Sequence, residues 1–374
     1  MIPEYFGTDG IRGPVGGEVV NPLFAARLGA AVGSWVKKGD REKTLVLIGR
    51  DTRPSGSDLV NGFASGLASV DVETHSVGIL PTPALALAVR GGTACLGVMV
   101  TASHNPASDN GFKLFNNQGH KLTTEDEAII ESLLTETVPK SGANLTERPG
   151  SLSHYLEHLA SILPEGSLKN WPIALDTANG ATAKASPLAL ERLGAKVEHI
   201  GKGGAHQLIN DSVGSEFPKN LSRLTRETNA CLGIAHDGDG DRVVFCDEKG
   251  EIVEGDSILG IFALDAKRRD LNGSSILVTT DYANYGLDRS LRDDGIKVVR
   301  TEVGDRCVAA GMQTLGAAVG GEPSGHVILN EWSPTGDGPL AALSLARIML
   351  ESQKPLSELK QCVNLLPCLS QAFR

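Results

Sequence analysis

Two short stretches carry residue types whose spacing can do chemistry. In His236-Asp237-Gly238-Asp239-Gly240-Asp241-Arg242, carboxylates recur at i, i+2 and i+4 within a glycine-rich segment. Carboxylates that close repel one another unless a hard cation lies between them. In Thr101-Ala102-Ser103-His104-Asn105-Pro106, a serine precedes an Asn-Pro dipeptide. Taken alone, that hexapeptide reads as a solvated turn. Beside a divalent-metal loop its hydroxyl becomes a candidate nucleophile for phosphoryl chemistry, because a serine needs a base or a metal to activate it.

Both stretches follow apolar runs, Ala94 to Val100 and Cys231 to Ala235. Such runs read as buried strands, so both are loops at strand carboxyl ends, where open α/β sheets place their ligands. The acidic loop has three rivals. An EF-hand needs glycine at its sixth position, which is Arg242, and helical flanks, which are absent. A haloacid-dehalogenase-like phosphatase fits Asp239-Gly240-Asp241-Arg242-Val243 but leaves Ser103 without a role. An Asp-Gly hairpin would not need three carboxylates in register.

The elements that must position these loops follow an α/β rhythm. Asn21 caps a helix with Pro22 at its first position. Thr44 to Ile48 reads as a strand, and the polar loop Gly49 to Gly56 leads into a helix reaching about Val70. Further strands are expected at Val72–Gly78 and Ala94–Thr101, then a hairpin through Gly111–Phe115 with its turn at Asn116–Gly119, and a capping box at Thr124 and Glu127. Lys113 would project close to the serine loop. Residues 136–150 lose periodicity and read as a linker. A second cycle has helices near 153–163 and 181–193 and strands at Ile173–Asp176 and Val197–Ile200. A third has helices at 256–268, 283–293 and 305–315 with strands at Ser275–Thr279 and Lys297–Val299. The expectation is three consecutive α/β/α domains with mixed sheets around a shared cleft, spanning 1–150, 151–253 and 254–367, with a stub at 368–374. No simple sequence repeat relates them.

Composition narrows the partners. The 374 residues exceed one compact core, and 41% hydrophobic content is ordinary for globular domains. A formal charge of −10 argues against nucleic acid or an anionic membrane surface as the main partner, so an anionic substrate would need a locally basic pocket. The N-terminus has no basic and apolar leader pattern and no run reaches membrane-spanning length, which suggests a cytoplasmic protein. The six cysteines form no CxxC pair and read as reduced and structural.

A third loop, Gly320-Gly321-Glu322-Pro323-Ser324-Gly325-His326, and the opening Phe6-Gly7-Thr8-Asp9-Gly10-Ile11-Arg12-Gly13 complete a set. With the serine and acidic loops in this order, the whole chain resembles the α-D-phosphohexomutase superfamily, and the opening and the third loop most resemble its amino-sugar branch. The resemblance implies that Ser103 is the phosphorylated nucleophile and that Asp237, Asp239 and Asp241 hold a Mg²⁺ that also touches the serine phosphate. It implies that Arg12, Lys113, His104 and Arg242 line the transferring phosphoryl group, with Lys113 and His326 as candidates for proton transfer. Glu322, Ser324 and His326 would hold the sugar, and Gly304-Asp305-Arg306 matches another substrate-side loop. The implied substrate is a small hexosamine phosphate: glucosamine 6-phosphate and glucosamine 1-phosphate interconvert through a sugar 1,6-bisphosphate, which also serves as activator, on the route to UDP-N-acetylglucosamine. Neutral-sugar mutases are the nearest alternative, and a non-catalytic sugar-phosphate binder is the alternative from another class.

The superfamily also has a fourth domain, whose Arg-x-Ser-Gly-Thr-type loop grips the non-reacting phosphate. This sequence contains no such loop and ends where that domain would begin. Charge-assisted hydrogen bonds contribute about 1.5–3 kcal/mol each, and binding at that end helps align the reacting one. The expectation is a chain weak as a mutase but still able to carry phosphate on Ser103.

Overall fold

The computed structural model describes residues 3–39, 44–139, 142–204 and 206–368; all of the expected stub but its first residue lies outside them. The first unit runs β1 (Ile11–Pro14), α1 (Pro22–Lys38), β2 (Val46–Arg50), α2 (Gly56–Ala68), β3 (Thr74–Ile79), α3 (Thr82–Arg90), β4 (Leu96–Val100), β5 (Asp109–Asn116), α4 (Thr124–Ser132) and β6 (Leu145–Glu147). The second runs α5 (Ser151–Ala160), β7 (Pro172–Asp176), α6 (Thr182–Arg192), β8 (Lys196–Ile200), α7 (Pro218–Glu227), β9 (Leu232–His236), β10 (Val243–Cys246) and β11 (Ile252–Val253). The third runs α8 (Gly255–Arg268), β12 (Ile276–Thr280), α9 (Gly286–Leu291), β13 (Lys297–Thr301), α10 (Asp305–Leu315), β14 (Val319–Gly321), β15 (Val327–Leu329), α11 (Gly338–Ser352) and α12 (Leu356–Leu359).

The three sheets share one plan. Their orders contain β5-β4-β2-β3, β10-β9-β7-β8 and β15-β14-β12-β13. In each, the first strand pairs in parallel with the second and third, and the fourth returns antiparallel to the third. Parallel neighbours require crossovers, supplied by a helix each time, whereas the third-to-fourth connection can be a short loop. The serine loop, the acidic loop and the 322–326 loop are all that same connection. The repeat absent from the sequence is therefore present in the topology.

Local chemistry explains the elements. Asn21 caps α1 by accepting from Phe24 N at 2.8 Å, as expected. The cap of α4 is Thr123, accepting from Asp126 N at 3.1 Å, one residue before the expected Thr124–Glu127 box; the Thr123 hydroxyl also donates to the Asp126 carboxylate at 2.7 Å. The opening loop contains an edge strand, β1, antiparallel to β5, and the expected linker contains β6, which extends β3 in parallel. Gly111 permits the first pairing, since a Cβ there would lie 2.0 Å from the Ile11 carbonyl. Every residue of β4 and β9 is buried, which fits their continuous apolar sequences.

One hydrophobic core passes from the α3 side of the first unit, through Leu80, Leu85 and Phe115, into Leu175 and Phe245 of the second and Leu259 and Leu340 of the third. A separate core fills the other face of the first unit between α1, α2 and the sheet. Where the second and third units meet, the Tyr155 hydroxyl donates to Asp337 Oδ1 at 2.7 Å, and the same oxygen accepts from Leu340 N to cap α11. Burial pushes the Asp337 carboxyl up to about 7. Its ordinary value lies near 4, so between about pH 4 and 7 the folded chain binds the proton more tightly than the unfolded one, and this group's contribution to stability falls as pH rises. Asp337→Asn keeps a capping side chain and removes that titration. We expect it to raise Tm at pH 8 relative to the parent and to flatten the Tm profile from pH 5 to 8, read by scanning calorimetry.

Candidate phosphoryl-transfer site

Ser103 sits one turn beyond the end of β4 with φ at +50°, a left-handed conformation unusual for a serine. Its side chain is fully buried and its Oγ donates to Asp237 Oδ2 at 2.5 Å. The acidic loop closes on its own backbone: Asp237 Oδ1 accepts from Gly240 N and Arg242 N, both at 3.1 Å. Asp239 Oδ2 accepts from the Thr82 hydroxyl at 2.6 Å and from Lys113 Nζ at 2.8 Å, and Asp241 Oδ2 accepts from the same ammonium at 2.7 Å. One oxygen from each of Asp237, Asp239 and Asp241 lies within 4.8 Å of the others. Lys113 reaches them because β5 runs antiparallel beside β4, with Lys113 paired to Met99.

The electrostatics follow from this crowding. Burial, then the neighbouring Asp241 and Asp239, raises the Asp237 carboxyl well above the usual range. Burial, and for Asp239 the neighbouring Asp241, works against both carboxylates, but the Lys113 ammonium together with Thr82 on Asp239, and with His326, Arg242 and Lys121 on Asp241, holds both below their ordinary values. Burial works to lower the Lys113 pKa, but Asp239 and Asp241 outweigh it and raise it above the ordinary lysine value. Asp239 Oδ1 and Asp241 Oδ1 remain buried with no hydrogen-bond partner among the described residues. Unsatisfied buried oxygens in an all-oxygen donor set fit a hard divalent cation.

Cations and a histidine ring this cluster. Arg12 pairs with Asp9, and its Nη1 reaches Asn105 Oδ1 at 3.4 Å. Lys121 bridges Asp9 of the first unit and Asp305 of the third. His326 lies with Nδ1 4.0 Å from Asp241 and Nε2 3.6 Å from Asp305. Gly336 N donates to Nε2 at 3.1 Å, which places the proton of the neutral ring on Nδ1. His104 is half-buried, and burial followed by Arg242 lowers its pKa. Glu322 accepts from Gly304 N at 3.2 Å, joining the third loop to the Gly304-Asp305-Arg306 turn, while Ser324 is exposed on the same loop.

The structure thus brings together Ser103, the three aspartates, Lys113, His326 and Asp305. Arg12 joins them through Asp9. Five neighbours escaped the sequence reading, Lys121 among them. Arg53 and Asp51 lie in a visible loop after β2, where an arginine two residues beyond an aspartate was the available signal. Thr82 and Asn210 carried no local signal. The acidic loop also touches every unit through its backbone, with Thr82 N donating to Asp239 O at 2.9 Å, Ala181 N to Gly238 O at 2.8 Å and Gly338 N to Gly240 O at 3.0 Å.

Three profiles of the phosphoglucomutase/phosphomannomutase family match: alpha/beta/alpha domain I over residues 3–140, domain II over 153–250 and domain III over 254–365. The chain belongs to this family, whose members are phosphohexomutases, a class of isomerase. Among its relatives, a phosphoglucosamine mutase of Zymomonas mobilis is 41% identical over 100% of this chain and 85% of its own length. A phosphoglucosamine mutase of Caulobacter vibrioides is 40% identical over 99% of this chain and 84% of its own. A crystal structure of a phosphoglucomutase/phosphomannomutase family protein from Burkholderia thailandensis superposes with a TM-score of 0.84 at 25% identity, covering 97% of this chain and 81% of that one. No helix among the described residues is long and apolar enough to cross a membrane.

The rim is held by a second cross-unit pair. Arg306 donates from both ends of its fork to Glu127, at 2.7 and 2.6 Å. The Glu127 side chain is 3% exposed, so burial raises its carboxyl, and Arg306 opposes that rise. Arg306→Ala leaves a buried acid without its partner and is expected to cost about 2 kcal/mol at pH 8, less at pH 5 where Glu127 can take up a proton. Chemical denaturation at both pH values checks this, and adding Glu127→Gln should recover part of the loss.

Proposed function

We propose that this chain interconverts glucosamine 6-phosphate and glucosamine 1-phosphate, with Ser103 carrying the phosphate between the two positions. The observation that carries the reading is the Ser103 hydroxyl set 2.5 Å from a carboxylate of the aspartate cluster. The amino-sugar relatives near 40% identity favour glucosamine over neutral sugars.

Asp237, Asp239 and Asp241 with Ser103 Oγ would hold Mg²⁺, which when bound supplies positive charge to the phosphoryl oxygens. The remaining steps belong to the protein. In the first half-reaction the Ser103 Oγ–P bond breaks, a bond forms from phosphorus to the free hydroxyl of the sugar monophosphate, and the hydroxyl proton passes to a base. The resulting 1,6-bisphosphate turns over within the cleft and returns its other phosphate to Ser103. Phosphoryl transfer asks mainly for alignment and charge neutralisation, and Arg12, Arg242 and His104 would supply donors on the serine side. As it stands, Lys113 is kept protonated by Asp239 and Asp241, so it can donate a proton; accepting one requires its release from them. His326 is oriented by Gly336 and presents Nδ1–H towards Asp241. Glu322 and Ser324, with Gly304 and Asp305, would hold the sugar.

Labelled glucose 1,6-bisphosphate with Mg²⁺ should place label on Ser103, and a chase with glucosamine 6-phosphate should remove it faster than glucose or mannose 6-phosphate. Ser103→Ala should abolish labelling. Retained turnover in that variant, with release of inorganic phosphate, would instead mark a phosphatase. Lys113→Met removes the ammonium that pairs with Asp239 and Asp241 and is expected to lower Tm without metal. Millimolar Mg²⁺ should then raise Tm more in this variant than in the parent, because metal binding adds its linkage term to the folded state.

A further inference from the structure

Two carbonyl groups of the serine loop are each held from two sides. Arg53 Nη2 donates to Ser103 O at 2.9 Å and to Asn105 O at 2.8 Å. Asn210 Nδ2 donates to the same two oxygens, both at 2.8 Å. Two NH₂ groups and two carbonyls therefore close a four-bond ring. Arg53 comes from the loop after β2 in the first unit, and Asn210 from the segment between β8 and α7 in the second.

Each donor is itself fixed. Arg53 is fully buried; its Nε donates to Asp51 Oδ2 at 2.9 Å, and its Nη1 donates to Asp109 O at 2.8 Å and to Pro106 O. Asp51 Oδ2 also accepts from the Thr101 hydroxyl at 2.6 Å, and Thr101 Oγ1 accepts from Ser103 N at 2.9 Å. Both polar groups of the Ser103 backbone are thus tied to the same arginine–aspartate pair. Asn210 holds φ at +60°, with its N–H donating to Ala178 O at 2.8 Å. Gly238 of the acidic loop lies against the ring so closely that a Cβ there would sit 2.6 Å from Ser103 O and 2.9 Å from Asn210 Nδ2.

A serine in the left-handed region is held there only when its surroundings over-determine it, at a cost on the order of 1–3 kcal/mol. Here they do, and the direction in which Oγ leaves the loop depends on it. From this ring we infer that Arg53 and Asn210 are positioning residues for phosphoryl transfer at Ser103, aiming its Oγ at the metal cluster, and that Asn210 makes the aim depend on the register of the second unit against the first. The inference rests on the function proposed above only for its kinetic consequence. A displacement of about 1 Å at a reacting atom can reduce rate about 100-fold.

The test uses the full chain and two variants. Asn210→Ala removes one side of the ring and leaves Arg53 paired with Asp51; Arg53→Lys keeps the charge beside Asp51 and removes the fork. For Asn210→Ala we expect kcat to fall about 10- to 100-fold, with KM for glucosamine 6-phosphate and the Mg²⁺ dissociation constant each within about twofold of the parent. Amide exchange over residues 103–110, read by mass spectrometry, should quicken. Arg53→Lys should show the same pattern; if it does not fold, Asn210→Ala decides. Unchanged kcat, unchanged exchange in the loop, or a loss confined to Mg²⁺ affinity would each overturn the inference. If the parent chain transfers no phosphate to sugar, the proposed function fails by itself, and the exchange measurement still decides whether the ring holds the loop.

Discussion

Three carboxylates cannot share a dry pocket without compensation, and the acidic loop forces that problem on the whole molecule. Coulomb repulsion between unit charges a few ångströms apart is several kcal/mol at the effective dielectric of a protein interior. Here Lys113 sits between Asp239 and Asp241, the Ser103 hydroxyl and two backbone N–H groups satisfy Asp237, and Thr82 adds a donor from the start of α3. None of these donors can be delivered by the acidic loop's own strand pair except the two backbone groups. The first unit must therefore pack against the second before the loop is tolerable.

The common sheet plan makes that convergence possible. In each unit the loop that matters joins the third parallel strand to the antiparallel fourth, so it projects from the same end of the sheet. Facing those ends towards one another concentrates functional groups without any long excursion of the chain. The helical crossovers carry the apolar burden at the back, where one core runs through all three units. The result is an apolar weld behind the cleft and polar contacts at its front, including Lys121–Asp305 and Arg306–Glu127.

Much of this was legible in the sequence, and the remainder was hidden for physical reasons. Runs such as Leu96–Val100 and Leu232–His236 announce buried strands because both faces are covered, and the polar loops after them announce themselves by contrast. Ser103 and the aspartates were readable because their chemistry is local and dense. The edge strands β1 and β6 were not, since four and three residues leave no period to detect. Helix α3 was missed because its apolar residues, Leu85, Ala86 and Val89, are buried around most of its circumference and lack a polar face. Thr82 and Asn210 act across 157 and more than 100 residues of chain, and no spacing rule reaches so far.

The same long-range character explains why so much buried polar chemistry can be held still. Electrostatic stabilisation of a transferring phosphoryl group is effective when the donors are fixed before reaction and need not reorganise during it. Loop hydroxyls and carboxylates are ordinarily the most mobile groups in an α/β domain. In this chain they are immobilised by donors from their own unit and from its neighbours: Arg53 of the first unit and Asn210 of the second on the serine loop, and Thr82 of the first, Ala181 of the second and Gly338 of the third on the acidic one. Each contact spans a boundary between elements that the apolar core already fixes. Rigidity at the cleft is therefore borrowed from the back of the molecule, and a mutation that loosens the weld around α3 should disturb the serine and the aspartates together, although it touches neither.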